Sequence, residues 1–177
     1  MACSETARAL APAALARRME QGIGVSTQPD IRWGRCDIKT VNLLPNLLAK
    51  QAAKKAGAFE AWLVDEEGYV TEGSSTTAWI VDSDGTLITR DLSNAILPGV
   101  TRKIMLQAAH DAQIKVVERK FTVAEALAAR EAFLSSATGA GVPVIAIDGH
   151  KIGDGRPGPL SQRIRALYTA VSAPKKP

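Results

Sequence analysis

The stretch from residue 60 to residue 90 constrains the fold most, because it holds four short β-forming segments separated by tight turns. The dipeptide Asp84-Gly85 suits a two-residue hairpin turn, and Gly68 closes the turn before it. Two hairpins in succession require antiparallel pairing within a sheet. The segments EAWLVD (60–65) and YVTEG (69–73) form the first hairpin, and TTAWIVDSDGTLITR (76–90) forms the second.

The remaining chain alternates between strand-like and helix-like patterns. Helices and hairpins are interspersed rather than strictly alternating, which favours the α+β class. Predicted helices cover 12–21, 44–58, 99–112, 123–130 and 160–171. Predicted strands cover 24–28, 34–39, 114–121 and 131–137, with a further hairpin over 142–153.

The composition excludes several classes of function. The net charge of +4 comes from scattered basic residues without interleaved aromatics, so we expect no nucleic-acid partner. No apolar run approaches the roughly 20 residues that cross a bilayer, and we expect a cytoplasmic protein. Cys3 and Cys36 are then most simply free thiols, and the two histidines lack ligand partners for a metal site.

Four short segments contain residues suited to chemistry. Lys39 lies in RCDIKT, on a predicted strand, and Glu72 lies in VTEGSSTT, where a strand ends in a run of hydroxyl residues. ILPGVTR (96–102) places Gly99 before a helix whose first amides could bind a phosphate. FLSSATGAGVPV (133–144) adds hydroxyls and glycines after another strand.

Each of these segments, taken alone, has a plain alternative. A strand lysine is usually exposed, a glutamate in a Ser/Thr-rich turn is usually solvated, a Pro-Gly turn commonly precedes a capped helix, and the fourth segment can be an ordinary loop. Their joint order is more specific. RCDIKT followed by NLLPN, VTEGSS, ILPGVTR, AFLSS and IDGHKIGDGRPGP resembles the D-amino acid aminotransferase group of the fold-type IV pyridoxal phosphate enzymes, over about four-fifths of the chain.

The resemblance implies a mixed, barrel-like sheet with flanking helices, and it implies roles for single residues. Lys39 matches the catalytic lysine that binds pyridoxal 5′-phosphate as a Schiff base, and Glu72 matches the carboxylate at the pyridine nitrogen. Leu97 matches the side chain against the cofactor ring. Val100 and Thr101 match the phosphate-binding amides, and Ser75 and Thr76 line the substrate side.

The resemblance also implies an activity. A class IV aminotransferase would exchange the amino group of a D-amino acid with a 2-oxo acid through Lys39. Two alternatives stay open: a lyase of the same fold type, such as aminodeoxychorismate lyase, and a truncated cofactor-binding domain with little turnover.

The sequence departs from the family at three places, one of which is Thr76-Thr77-Ala78, where the family commonly has Ser-Asn-Val. Family members carry a small domain before the part that matches here, and that domain supplies phosphate- and carboxylate-binding residues. Ala137 stands where the family has a phosphate-contacting threonine. We expect residues 1–30 to form a helix and connector, 31–172 the cofactor-binding domain, and 173–177 a tail. Apolar surface left bare by the absent domain predicts a homodimer.

Overall fold

The structure is a computed structural model, and it describes residues 12–172. Five helices and nine strands follow one another in this range. The helices are α1 (Pro12–Gln21), α2 (Leu44–Lys55), α3 (Val100–Asp111), α4 (Val123–Ala128) and α5 (Pro159–Ser172). The strands are β1 (Ile23–Pro29), β2 (Glu60–Val64), β3 (Val70–Gly73), β4 (Thr77–Val81), β5 (Leu87–Thr89), β6 (Val116–Glu118), β7 (Glu131–Ser136), β8 (Gly139–Ile147) and β9 (His150–Lys151).

All nine strands belong to one mixed sheet, curled into a half barrel. The strand order is β3-β2-β1-β8-β7-β4-β5-β6, and β9 pairs with β8. Strand β1 is parallel to both of its neighbours, β2 and β8. The hairpins β2–β3, β4–β5 and β7–β8 are antiparallel, as is the long-range pair β4–β7, whereas β5 and β6 are parallel. Local hairpins and several long-range pairs together build the sheet.

Both faces of the sheet are buried in its middle. Successive strand residues point to opposite faces. In β4, Ile80 joins the core that includes Trp62 and Phe121, whereas Trp79 joins the core that α3 and α5 cover. The indole of Trp79 stacks on Phe133 at 5.6 Å between ring centroids. Strands buried on both faces explain why these segments read as continuous apolar runs.

The structure confirms the α+β class and the two hairpins between residues 60 and 90. At the second turn Gly85 adopts φ +80°, a conformation that favours glycine. The Asp82 carboxylate accepts hydrogen bonds from the amides of Asp84 and Thr86, at 3.0 and 2.8 Å, and so closes the turn. The predicted helices at 12–21 and 99–112 agree with α1 and α3.

The predicted strand at 34–39 is wrong, because residues 31–43 form an irregular segment. Its apparent alternation comes from side chains that anchor a loop. Arg35 pairs with Asp37 two residues later, and the Cys36 amide donates to the carbonyl of Asn94 at 2.8 Å. Both edges of the preceding strand β1 are already paired, so the sheet offers this segment no strand to join beside β1.

Strand β1 confirms the predicted strand at 24–28, and it falls within residues 1–30, which the sequence assigns to an N-terminal helix and connector. It pairs with β2 and β8, so the sheet continues across residue 30. The division of the chain at that residue stays a prediction, and the predicted tail at 173–177 lies outside the described residues. None of the helices between residues 12 and 172 is long and apolar enough to cross a membrane.

The segment from residue 31 to residue 48 carries most of the large apolar side chains that remain exposed. Val41 is 98% exposed and Leu47 62% exposed, although α2 buries Ala49 and Ala53 on its other side. We call this surface the 31–48 face. Its exposed members are Ile31, Trp33, Ile38, Val41, Leu43, Leu44, Leu47 and Leu48.

Candidate functional site

Glu72 lies near the end of β3, at the point where the loop preceding α3 reaches the sheet. The backbone amide of Leu97, in that loop, donates to Glu72 Oε2 at 3.2 Å. Glu72 is only 7% exposed. The structure therefore brings together two of the residues that the sequence singled out, and it does so through the backbone of one and the carboxylate of the other.

Arg32 is the main partner of Glu72. Its Nη1 donates to Glu72 Oε1, and its Nε and Nη2 donate to the two oxygens of Asp30 at 2.8 and 2.7 Å. The Arg32 side chain is 5% exposed. Its Nη2 also donates to the carbonyl of Ala95 at 2.9 Å, so one guanidinium ties the start of the irregular segment to β3 and to the loop before α3.

The three charged groups influence one another's ionisation. Burial raises the pKa of Glu72, and the opposing effects of Arg32 and the Leu97 amide do not cancel it. Burial acts on Asp30 in the same sense, but hydrogen bonds from Arg32 and Thr71 outweigh it and hold the pKa of Asp30 below its usual value. One cation thus faces two carboxylates, and the cluster is net negative when both are ionised. Such a site favours a cationic nitrogen.

Lys39 lies in the irregular segment, and its side chain is exposed. Two contacts confine this part of the chain. The Cys36 amide is bonded to Asn94, and Asn46 Nδ2 donates to the carbonyl of Ser74 at 2.9 Å. Lys39 is three residues from Cys36, a stretch that spans at most about 10 Å. These two contacts anchor the chain on either side of Lys39.

Helix α3 begins at Val100 without a side-chain cap. Its N-cap residue, Gly99, has no side chain that could cap the first turn. The first amides of a helix have no partner within the helix, and the dipole makes this end positive. Val100 is 74% exposed and Thr101 is buried. This end can bind an anion such as a phosphate group.

Ser75 and Thr76 occupy the turn between β3 and β4. The Ser75 hydroxyl donates to Glu60 Oε2 at 3.1 Å. Thr76 Oγ1 is buried and has no hydrogen-bond partner within residues 12–172. A Cβ atom at Gly73 would lie 2.0 Å from Thr76 Oγ1, so a larger residue there would displace the Thr76 side chain. The assignment of both hydroxyls to the substrate side stays a prediction.

The serines after β7 are only partly available. Ser135 Oγ accepts a hydrogen bond from Trp79 Nε1 at 2.9 Å and is buried. Ser136 is half-buried, whereas Ala137 and Thr138 are exposed at the turn into β8. The Ser135 oxygen is therefore engaged by the core, while its hydroxyl proton remains available for donation.

The sequence did not single out Arg32, Asp30 or Glu60. Two signals were present for the first pair, since Asp30 and Arg32 are spaced two apart and directly precede the lysine segment. Glu60 gave a weaker signal, a lone carboxylate at the start of an apolar strand. Their partners lie up to 63 residues away in sequence, as Ala95 does from Arg32, so spacing alone could not identify them.

Comparison with known proteins gives a consistent result. The profile of the family described as amino-transferase class IV matches residues 3–147. D-alanine aminotransferase from Bacillus licheniformis is 39% identical over 156 residues, covering 88% of this chain and 54% of that protein. D-alanine aminotransferase from Staphylococcus haemolyticus is 41% identical over 148 residues, covering 83% of this chain and 51% of that protein.

Solved structures of aminotransferases also match this chain. A crystal structure of branched-chain amino acid aminotransferase from Escherichia coli matches with a TM-score of 0.77 and 29% identity, covering 90% of this chain and 55% of that one. The holo form of the branched-chain enzyme from Thermobaculum terrenum, which contains PLP, matches with a TM-score of 0.77 and 26% identity, covering 86% and 51%. The chain thus spans about half the length of the relatives it matches.

Proposed function

Because this chain belongs to the class IV aminotransferase family, we propose that it binds pyridoxal 5′-phosphate and takes part in exchanging the amino group of a D-amino acid with a 2-oxo acid. The observation that carries the proposal is the buried Glu72 carboxylate, held by Arg32 and by the Leu97 amide in the loop that leads to the uncapped start of α3. Few structural roles require this combination.

The residues present fit the cofactor. Glu72 already accepts from Arg32 and Leu97, but a carboxylate has about four acceptor sites and can accept a further hydrogen bond from a protonated ring nitrogen. The start of α3 suits the phosphate, with Val100 and Thr101 as donors. Thr76 Oγ1, buried without a partner between residues 12 and 172, is available as a further donor or acceptor.

When bound, the cofactor supplies an electron sink for a carbanion at the substrate Cα. The chain's own residues hold it and move a proton. Lys39 Nζ would bind the cofactor covalently, and after substrate displaces it, the free amine would accept the proton from the substrate Cα. Glu72 would keep the ring nitrogen protonated, because an opposite charge favours the cationic form. Arg32 would keep Glu72 oriented, and Leu97 would lie against the ring.

We further propose a homodimer that covers the 31–48 face. Lys39 lies within this face, among side chains such as Ile38 and Val41 that are exposed in the single chain. When such an apolar face packs against its own copy across a two-fold axis, apolar surface is buried on both protomers. Exclusion of water would also make Lys39 a better base, since desolvation disfavours its charged form. The cytoplasmic location stays a prediction.

Trapping of the cofactor tests the proposal. The full chain is incubated with pyridoxal phosphate, reduced with borohydride, digested and mapped by mass spectrometry. We expect the reduced adduct on the peptide that contains Lys39 and its loss in Lys39→Ala. Lys151→Ala removes an exposed lysine from β9 and serves as the control. An adduct spread over several surface lysines would contradict a specific site.

The activity is tested separately from the binding. The chain is incubated with D-alanine and a 2-oxo acid, together and singly. An aminotransferase requires both substrates for sustained turnover, whereas a lyase of the same fold type needs only its own substrate. An adduct on Lys39 without turnover would leave the chain as a cofactor-binding domain, and the aminotransferase proposal would then fail.

A further inference from the structure

Glu60, the first residue of β2, is completely buried. A carboxylate removed from water is strongly destabilising unless hydrogen-bond donors or a cation surround it. Glu60 is not among the residues assigned to the cofactor, yet it lies one strand away from Glu72. Its partners explain why such a costly group is retained at this position.

Four donors surround the Glu60 carboxylate. Oε1 accepts from the Ala61 amide at 2.8 Å and from the Ser74 hydroxyl. Oε2 accepts from the Ser75 hydroxyl at 3.1 Å and pairs with Lys50 Nζ at 3.0 Å. The set includes one ammonium group and two hydroxyls, so the charge is matched and both oxygens are bonded.

Two of these donors come from successive residues, and this arrangement is informative. Successive side chains of an extended strand point in opposite directions. Ser74 and Ser75 can reach the same carboxylate only because the chain turns at this point, directly after β3. The Ser74 amide also donates to the Ala61 carbonyl at 3.0 Å. The hydrogen bonds to Glu60 therefore depend on this turn conformation.

The network also reaches the helix that follows the Lys39 segment. Lys50 belongs to α2, and Asn46, one turn earlier on α2, donates to the carbonyl of Ser74. Asn46 contacts the turn that follows Glu72 directly, and Lys50 is linked to the same turn through Glu60. The element after Lys39 and the element after Glu72 are thus tied to each other through Glu60 and Ser74.

We propose that Glu60 is a positioning residue of the cofactor site: its buried carboxylate holds Ser74 and Ser75 and so sets the turn after Glu72 relative to the Lys39 segment. The inference rests on the proposed function. It also defines the part that Ser75 can play. Because the Ser75 hydroxyl proton is directed to Glu60, its oxygen is left to accept from a ligand's N–H or O–H group rather than to donate.

The test compares two buried glutamates in the full chain. Glu60→Gln removes the charge from the turn network. Glu131→Gln is the matched control, because Glu131 is also the first residue of a strand, is 7% exposed, and binds the amides of Leu160 and Ser161 at the start of α5, each at 2.9 Å. Hydrogen exchange without cofactor, pyridoxal phosphate titration and thermal unfolding are measured for both.

We expect Glu60→Gln to speed amide exchange at Ser74–Thr77 and to weaken pyridoxal phosphate binding about tenfold, the loss expected when a hydrogen bond to a charged group is removed. Glu131→Gln should speed exchange at 160–161 and leave cofactor affinity within about twofold. Lys50→Met should weaken binding less than Glu60→Gln, since it removes one of four donors, and Lys50→Arg should restore it.

The outcomes separate this inference from the proposed function. Unchanged exchange at Ser74–Thr77 in Glu60→Gln overturns the inference, and so does faster exchange with unchanged cofactor affinity. An equal loss of cofactor affinity in Glu131→Gln would attribute the loss in Glu60→Gln to general destabilisation. That result would also overturn the inference. A wild-type chain that takes up no pyridoxal phosphate refutes the proposed function, and the positioning role is lost with it, while the exchange data still report whether Glu60 holds the turn.

Discussion

The middle of the sheet and the 31–48 face both contain large apolar side chains. The sheet buries them, whereas the 31–48 face leaves them exposed. In the sheet, Trp79, Phe133 and Leu134 are at most 1% exposed, and α3 and α5 complete the packing of Trp79 and Phe133. On the 31–48 face, Leu44 and Leu47 are each 62% exposed. Contacts within this chain complete the packing of one region, whereas the other leaves its apolar side chains exposed. Lys39 lies on the 31–48 face, and Glu72 lies at the border between this face and the middle of the sheet.

The largest expected effect concerns that border. Arg32→Met removes the guanidinium that pairs with both Asp30 and Glu72 and leaves two buried carboxylates without their cation. Breaking a buried pair from one side costs about 3–5 kcal/mol. Urea unfolding measures this loss in the free energy of unfolding. Arg35→Met, which breaks the solvent-exposed pair with Asp37, should unfold close to wild type. Equal stability of the two variants would refute the importance of the buried cluster.

Matched leucine truncations compare the two regions directly. Leu134→Ala should lower the free energy of unfolding by about 2–5 kcal/mol, because it opens a cavity in the sheet core. Leu47→Ala should change it by less than about 0.5 kcal/mol in the dissociated chain. Urea titrations at low protein concentration provide both values. A large loss for Leu47→Ala would show that this side chain is buried in solution.

The association of the 31–48 face is tested with a charge. Val41→Glu places a carboxylate at the most exposed apolar residue and should weaken self-association by about tenfold or more, because a dimer would have to bury it. Val171→Glu, at a residue 66% exposed on α5, is the control and should leave association unchanged. Sedimentation velocity over a range of protein concentrations measures the self-association of wild type and of both variants. A wild type that stays monomeric throughout would contradict the homodimer.

The smallest effect is a difference in pH dependence between the two carboxylates on Arg32. The pKa of Asp30 lies below its usual 3.8, so its stabilising contribution is present above that value and is lost as pH falls through the lowered pKa. The pKa of Glu72 lies above its usual 4.5, so its contribution is present below 4.5 and is lost as pH rises through the raised pKa.

Unfolding free energies measured between pH 3 and pH 7 therefore distinguish the two residues. Asp30→Asn should flatten the loss of stability on the acid side, and Glu72→Gln should flatten the loss above pH 4.5. Asp37→Asn removes a carboxylate whose pKa is also lowered, mainly by its hydrogen bond from Arg35, but this pair is exposed and should matter less. Identical profiles for Asp30→Asn and Glu72→Gln would contradict the opposite shifts.

The parts of the fold that the sequence predicted are those set by local rules. The Asp84-Gly85 turn and the helix start after Gly99 depend on backbone preferences within a few residues, and the structure has both. The predicted strand at 34–39 failed because alternation alone does not create a partner. A strand needs an open edge of a sheet, and whether β1 leaves one depends on β8, far along the chain.

The candidate site divides in the same way. Lys39, Glu72 and the start of α3 could be proposed from short motifs and their resemblance to a family. Arg32 could not be linked to Glu72, nor Glu60 to Ser74, because each pair forms only when separate strands and loops come together. Motifs identify groups that act on ligands, whereas the groups that orient them depend on tertiary structure.

The position of β1 between β2 and β8 also has a consequence for the way the polypeptide reaches its native state. The β2–β3 and β4–β5 hairpins can form soon after their residues leave the ribosome. Strand β1 must wait for β8; Thr27, for example, meets Asp148 from 121 residues away. Such non-local pairing slows folding and leaves strand edges open during synthesis. The centre of the sheet is therefore completed last, and nascent chains are most prone to aggregate until it closes.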